Sequence, residues 1–137
     1  MKSTLENVAA FLAVAIWADG VYADGEKKIL GEIAQALETD EKELTKAVDT
    51  AVASLEKKND DEITEYVTDH ASQIEEEDVL PLMECAIEIV LADNVITKDE
   101  VNTLFDLADA TGVVEHSDVL LMVADLVKYE PDIDIQF

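Results

Sequence analysis

Residues 8–18 form an unbroken run of eleven apolar residues, and this run constrains the fold more than any other feature of the chain. A helix formed from it has no polar face, so it has to be buried on every side. Ser3 and Glu6 have the spacing of a capping box, which predicts a helix from about Thr4 to Ala18. The run is too short to cross a bilayer. We therefore expect a central helix around which the other helices of a soluble domain pack.

An acidic turn follows the run and recurs later in the chain. Residues 18–26 are Ala-Asp-Gly-Val-Tyr-Ala-Asp-Gly-Glu, and residues 92–100, which lie 74 positions later, repeat the first Ala, the first Asp, the Val and the final Glu. Seven of the nineteen positions in residues 18–36 are identical to their counterparts. Both copies have the pattern of apolar helix, acidic turn and amphipathic helix. Function is expected at the turns, because polar residues held between rigid helices can present converging ligands.

The rest of the chain also has the apolar periodicity and the capping residues of helices. Leu44, Val48, Val52 and Leu55, for example, form one apolar stripe. Seven helices are predicted, at about residues 4–18, 25–37, 40–58, 59–77, 78–91 and 98–110 and from 117 onwards, with Asp78, Thr97 and Ser117 as caps of the last three.

The expected fold is all-α, a compact helical bundle of about seven helices built as a single domain from two pseudo-symmetric halves. The half-repeats are residues 3–57 and 78–128, residues 59–77 form a bridge between them, and residues 129–137 form a C-terminal tail. Within the tail, residues 132–135 alternate like an edge strand. This segment is too short to build a sheet on, and we expect it to lie on the body of the protein.

The charge of the chain excludes several classes of function. Asp and Glu total 33 against nine basic residues, which are all Lys, and the net charge is −24. Without a basic patch for phosphates we expect no nucleic-acid binding, and an anionic membrane would repel the chain. Cations or a basic protein partner would relieve the repulsion among the acids. A simpler interpretation is that most of the acids keep the surface soluble.

Residue types that often carry catalysis or bind soft metals are sparse. Cys85 is the single cysteine and is interpreted as a small buried hydrophobe, so we expect neither a disulfide nor a cysteine-based metal site. His70 and His116 have no partner at ligand spacing, and His70 is expected to be a half-buried core residue. Neither a phosphate-binding loop nor a dinucleotide fingerprint is present, and we expect no enzyme. The N-terminus lacks a signal-peptide pattern, which predicts a cytoplasmic location.

The motif in residues 18–21, Ala-Asp-Gly-Val, with Glu26 seven positions after the Asp, resembles the Ala-Asp-Gly-aliphatic…Glu signature of TerB-like domains. These domains occur in bacterial tellurite-resistance proteins and at the N-terminus of some membrane-anchored DnaJ-type co-chaperones. The resemblance covers about residues 3–128 and implies an all-helical domain that carries the motif twice. It also implies a module that binds or senses metal ions within multi-protein stress-response assemblies.

By this resemblance the acidic positions that match the family signature are Asp19, Glu26, Asp93 and Glu100. The second copy departs from the signature at Asn94, a residue type that tolerates the left-handed backbone expected there. If the two halves pack about a pseudo-twofold axis, the four carboxylates would converge. Carboxylates suit hard divalent cations such as Ca²⁺, Mg²⁺ or Mn²⁺. Asp24 and Asp99 are the second candidates for ligands.

Two alternatives limit this metal hypothesis. Neither turn is an EF-hand loop, because in a loop that starts with Asp19 as position 1, positions 3 and 5 are Val21 and Ala23, whose side chains cannot bind calcium. Local structure also accounts for part of the motif, since Thr97 and Glu100 form a full capping box. The first copy has Ala23 in place of the capping Thr97, so capping explains its Glu less well.

Two functional hypotheses follow from the sequence. In the first, the protein is a non-enzymatic TerB-like module that binds divalent metal at its paired acidic turns, or docks a partner in a metal-dependent way. In the second, it is a metal-independent adaptor whose acidic surface meets a basic protein partner.

Overall fold

The computed structural model describes residues 3–19, 24–91, 95–129 and 134–136, and side chains within residues 3–18, 28–91 and 97–125. Within these ranges the chain is a bundle of seven helices with one pair of three-residue strands, which confirms the predicted all-α class. The elements are α1 (Leu5–Asp19), α2 (Asp24–Ala36), α3 (Glu41–Glu56), α4 (Asp60–Ala71), α5 (Glu76–Val90), β1 (Val95–Thr97), α6 (Lys98–Thr111), α7 (His116–Tyr129) and β2 (Asp134–Gln136).

Helix α1 lies at the centre of the bundle, as its apolar run predicts. Each residue from Val8 to Ile16 exposes 2% or less of its surface. Four helices, α3, α4, α5 and α6, pack around it. The removal of this apolar surface from water is therefore a large share of the driving force for folding. In the ranges that the structure covers, no helix combines the length and the apolarity needed to cross a membrane.

The order of the helices repeats along the chain. α1, α2 and α3 are followed by α4, and α5, α6 and α7 then repeat the series. α2 and α6 begin at Asp24 and Lys98, which are separated by the same 74 positions that relate the two acidic turns. The first helix of each series packs against the second helix of the other, α1 against α6 and α5 against α2. This crosswise packing is the arrangement expected of two pseudo-symmetric halves.

The bridge between the halves is shorter than the sequence predicts. α4 covers Asp60–Ala71 instead of residues 59–77, and α5 already starts at Glu76. The prediction that Asp78 caps α5 is wrong, since the N-cap is Glu75 and Asp78 lies in the first turn of the helix. Pro81 accordingly lies inside α5, beyond its first turn.

Ser3 ties the start of α1 to the start of α5. The predicted capping role of Ser3 is wrong, because Thr4 has this role: its Oγ1 accepts a hydrogen bond from the N–H of Asn7 at 3.3 Å. The N–H and the hydroxyl of Ser3 instead both donate to Oδ2 of Asp78 at 2.7 Å. Ser3 Oγ also accepts from the N–H of Glu75 at 2.9 Å. Asp78 is buried, so these donors replace water that its carboxylate has lost.

The start of α7 also differs from the prediction. Ser117 is not the cap, because the helix already includes His116. The carboxylate of Asp118, in the first turn, accepts a hydrogen bond from the N–H of Glu115 at 3.1 Å. A side chain inside the helix therefore fixes its start by reaching back to the preceding backbone.

The C-terminal tail pairs with the segment that precedes α6. β1 and β2 are parallel, with Val95 opposite Asp134 and Thr97 opposite Gln136. The strand-like alternation of the tail thus produces one short pair of strands within the described residues. This pairing holds the tail beside the first turn of α6, next to the second acidic turn.

Replacing Ser3 by Ala is expected to lower the free energy of unfolding by about 1–3 kcal/mol, because its hydroxyl binds a buried carboxylate and a backbone N–H. Urea unfolding followed by circular dichroism measures the effect. Ser72→Ala is the matched control, since the exposed Ser72 hydroxyl makes a long hydrogen bond of 3.5 Å to the Asp69 carbonyl. The control should change stability by less than about 0.5 kcal/mol. Equal effects of the two substitutions would contradict a stabilising role for the Ser3–Asp78 contact.

Candidate functional site

Glu100 is the member of the predicted ligand set whose side chain the structure describes. It is the third residue of α6 and only 3% of its surface is exposed. Thr97 caps the helix, since its Oγ1 accepts from the N–H of Glu100 at 3.3 Å and donates to Oε1 of Glu100 at 2.9 Å. The predicted capping of α6 by Thr97 is therefore confirmed, and the bond to the Glu100 carboxylate comes from the Thr97 hydroxyl. The position at a helix N-terminus also favours a negative charge.

Of the other candidate ligands, Asp99 has a described side chain, and the rest are placed only through the backbone or not at all. Asp19 is the last residue of α1, Asp24 is the first of α2, and Glu26 lies in the first turn of α2. Their side chains, and the whole of Asp93, lie outside the described residues. Asp99 is exposed, and its backbone carbonyl accepts a hydrogen bond from the hydroxyl of Thr103, one turn later in α6. Convergence of the four carboxylates stays a prediction. The side chains that are described contain no group of three or more His, Cys, Asp or Glu that could hold a metal ion.

A cleft of about 400 Å³, here called the α1–α4–α6 cleft, lies where the C-terminal end of α1 meets α4 and α6. Trp17, which is half-buried against the core, and Thr103 both line it. Trp17 is two residues before Asp19, and Thr103 is three residues after Glu100. The start of the first acidic turn and the helix that follows the second turn are therefore close in space. The remaining lining residues are Val14, Ile63, Thr64, Val67, Thr68, Asp106, Asp109 and Ala110.

Two carboxylates border the α1–α4–α6 cleft. Burial, and after it the negative charge of Asp109, raise the pKa of Asp106, while His116 lowers it. His116 Nε2 lies 2.8 Å from Oδ1 of Asp109. The His116 ring also stacks on Phe105, with the ring centroids 4.3 Å apart. His116, for which the sequence suggests no partner, thus positions one of the two acids.

A wider groove of about 610 Å³ lies between α1, α3 and α4. Its charged residues have both signs, since Glu6, Glu43 and Lys46 all line it. At one side, Nδ1 of His70 lies within hydrogen-bond distance, 2.8 Å, of Oδ1 of the buried Asn7. His70 is half-buried, as predicted, and its ring lies against the ring of Tyr66. The groove therefore has an apolar wall, and its charged residues favour neither an anionic nor a cationic ligand.

An acidic face on α5 adjoins α2. The pKa of Glu88 is raised, mainly by its partial burial and then by the negative charges of Glu32 and Glu84. Burial, Glu88 and Glu84 also raise the pKa of Cys85 to about 12. The thiol is therefore protonated at neutral pH and a poor nucleophile. Since Cys85 is 7% exposed, the interpretation of this residue as a small buried hydrophobe is confirmed.

Sequence reasoning identified neither acid of the α1–α4–α6 cleft. Thr64 and Thr68 are four residues apart on α4, and Asp106 and Asp109 are three apart on α6. These spacings show that each helix has a polar face. They do not show that the two faces meet over the end of α1, which follows from the packing of three separate helices.

Replacing Glu88 by Gln is expected to raise the melting temperature at pH 7. Because the pKa of Glu88 is raised above its ordinary 4.5, the folded state favours the protonated form. The contribution of protonated Glu88 to the free energy of unfolding is fully present below pH 4.5 and is lost as the pH rises through the raised pKa. The advantage of the Gln variant should therefore shrink as the pH falls towards 4.5. Thermal unfolding between pH 4 and 7 measures it.

Glu56→Gln is the control for the Glu88 variant, because it removes the same charge from an exposed position on α3. It reports the general relief of repulsion in a chain with a net charge of −24. An identical pH dependence in the two variants would contradict a specific effect of the surroundings of Glu88.

Comparison with known proteins adds one finding. A family model described as tellurite resistance protein TerB matches residues 5–122. The match runs from α1 into α7 and includes both acidic turns and the α1–α4–α6 cleft. Neither a search of curated proteins nor a search of solved structures found a match to the chain.

Proposed function

The chain belongs to the TerB family of tellurite-resistance proteins, whose model spans residues 5–122 of its 137 residues, and from this premise we propose a non-enzymatic module that binds a divalent hard cation at its two acidic turns. The proposed ligands are Asp19 and Glu26 from the first half and Asp93 and Glu100 from the second. Ca²⁺, Mg²⁺ and Mn²⁺ are the proposed ions. In the cytoplasm of a bacterium, the bound ion would control docking to a protein partner during a stress response.

The observation that carries the proposal is the burial of Glu100. This carboxylate exposes 3% of its surface and follows the second turn directly, at the position that the motif repeats in the first turn. A buried carboxylate is costly unless hydrogen bonds or a cation offset the loss of water. The Thr97 hydroxyl supplies one hydrogen bond, and a cation at the turn would add to it.

The α1–α4–α6 cleft gives a second line of support. It places Trp17 of α1 and Thr103 of α6 along one surface. Asp19 is the last residue of α1, and Glu100 lies in the first turn of α6. The end of α1 that leads into the first turn and the helix that follows the second turn therefore border the same cleft.

The second candidate function is a metal-independent adaptor for a basic protein. It is favoured by the net charge of −24 and by two exposed apolar residues on α7, Leu120 and Leu121, which are 51% and 65% exposed. A partner with both basic and apolar residues would complement this combination.

Thermal unfolding tests the metal proposal. Protein treated with a chelator is compared with and without Ca²⁺, Mg²⁺ or Mn²⁺ at fixed high ionic strength, because any cation stabilises so acidic a chain by screening. Saturation of a site at 100 times its Kd adds about 2.7 kcal/mol of stability. We therefore expect one ion to raise the melting temperature by several degrees, on the order expected for a domain of this size.

Paired variants make this test specific. Asp19→Asn/Glu26→Gln and Asp93→Asn/Glu100→Gln should each abolish the response, since both turns supply ligands. Asp49→Asn/Glu56→Gln removes two charges of the same kind from exposed positions on α3 and should preserve it. Small and equal shifts for all ions in all variants would overturn the metal site and favour the adaptor.

A further inference from the structure

The α1–α4–α6 cleft combines an apolar floor, one aromatic side chain and two carboxylates. We propose that it binds a small primary alkylammonium ion, with the ammonium group between Asp106 and Asp109 and the alkyl chain along Trp17 and Val14. The proposal concerns an organic cation and does not depend on the metal site proposed for the acidic turns.

The size of the cleft suits such a ligand. Its volume of about 400 Å³ lies within the range of small-molecule sites, roughly 300–1,000 Å³. Its floor is formed by Val14, Ile63 and Val67, which expose 2%, 8% and 8% of their surfaces. A short alkyl chain would pack against this floor and cover the half-buried Trp17, contacts that a bare metal ion cannot make.

The polar groups of the cleft favour a ligand that donates hydrogen bonds. Among the lining residues that the structure describes, the charged ones are Asp106 and Asp109, and both are acids. The hydroxyls of Thr64 and Thr103 already donate to carbonyls of their own helices at 3.1 Å, so they offer a ligand their acceptor lone pairs. An ammonium group has three N–H donors and no acceptor, which complements this lining.

The electrostatics of the cleft point in the same direction. Asp106 and Asp109 are exposed like charges that repel each other, and a cation between them would replace repulsion by attraction. His116 binds Oδ1 of Asp109 and leaves Oδ2 outside that hydrogen bond. The C-terminal end of α1 borders the cleft, and the partial negative charge of a helix C-terminus also favours a cation.

Trp17 contributes recognition and a signal. The face of an indole ring attracts organic cations. Trp17 is also the single tryptophan of the chain, so its fluorescence reports on the cleft alone. Binding can therefore be followed in the unmodified protein.

The test uses pentylammonium as the probe and 1-pentanol as its uncharged counterpart, with chelator present and at high ionic strength. Pentylammonium should change the Trp17 fluorescence saturably. 1-Pentanol should bind more weakly by a factor of about ten or more, because it lacks the charge-assisted hydrogen bonds. Amide chemical shifts measured by NMR give an independent readout, and the changes should be confined to α1, α4 and α6.

Two single variants separate the cleft from general attraction to an acidic surface. Asp106→Asn changes an exposed residue, so the fold should be retained, and it should weaken pentylammonium binding about tenfold. Asp49→Asn removes the same charge from α3 and should leave the affinity within about twofold. Equal losses in the two variants, equal affinity for the two probes, or no saturable change by either readout would overturn the proposal. The metal response of the acidic turns should persist in Asp106→Asn, so failure of one proposal is distinguishable from failure of the other.

Discussion

The rest of the structure depends on the burial of α1 on every side. A helix without a polar face cannot lie at the surface, and one neighbouring helix covers only part of its circumference. Four helices surround α1: α3 comes from its own half of the chain, α4 from the bridge, and α5 and α6 from the second half. Neither half can therefore bury α1 alone. The all-apolar central helix therefore needs the duplicated helical series, because its surface is covered only when both halves are present.

The same requirement determines where acids can enter the interior. Of the polar side chains that the structure describes, Asn7, Asp78 and Glu100 are buried. Ser3 donates twice to Asp78, Thr97 donates to Glu100, and His70 binds Asn7. Asp78 and Glu100 both lie in the first turn of a helix, where the backbone dipole favours a negative charge. Acids are thus buried where local donors and a helix N-terminus offset the loss of water.

The parts of the fold that could be predicted are those determined over short stretches of sequence. The eleven-residue apolar run predicted α1, and the three-residue spacing of Thr97 and Glu100 predicted the start of α6. Ser3 and Asp78 are 75 positions apart, and no periodicity links them, so their contact emerged only from the packing of α1 against α5. Capping patterns predict local caps at both residues, because such patterns depend only on neighbouring residues. The α1–α4–α6 cleft is equally absent from any local pattern, since it forms only where three helices meet.

The two ends of α1 differ in a way that bears on function. At its N-terminal end, Ser3 and Thr4 satisfy a carboxylate and a backbone N–H, so charges and donors are balanced inside the protein. At its C-terminal end, the cleft brings together Asp106, Asp109 and the negative end of the helix dipole, and its described lining residues include no lysine. The chain has no arginine to supply the missing positive charge. The proposed alkylammonium ion would supply from solution the counter-charge that the described lining of the cleft lacks, and the excess acid of this protein would then serve recognition at the end of α1.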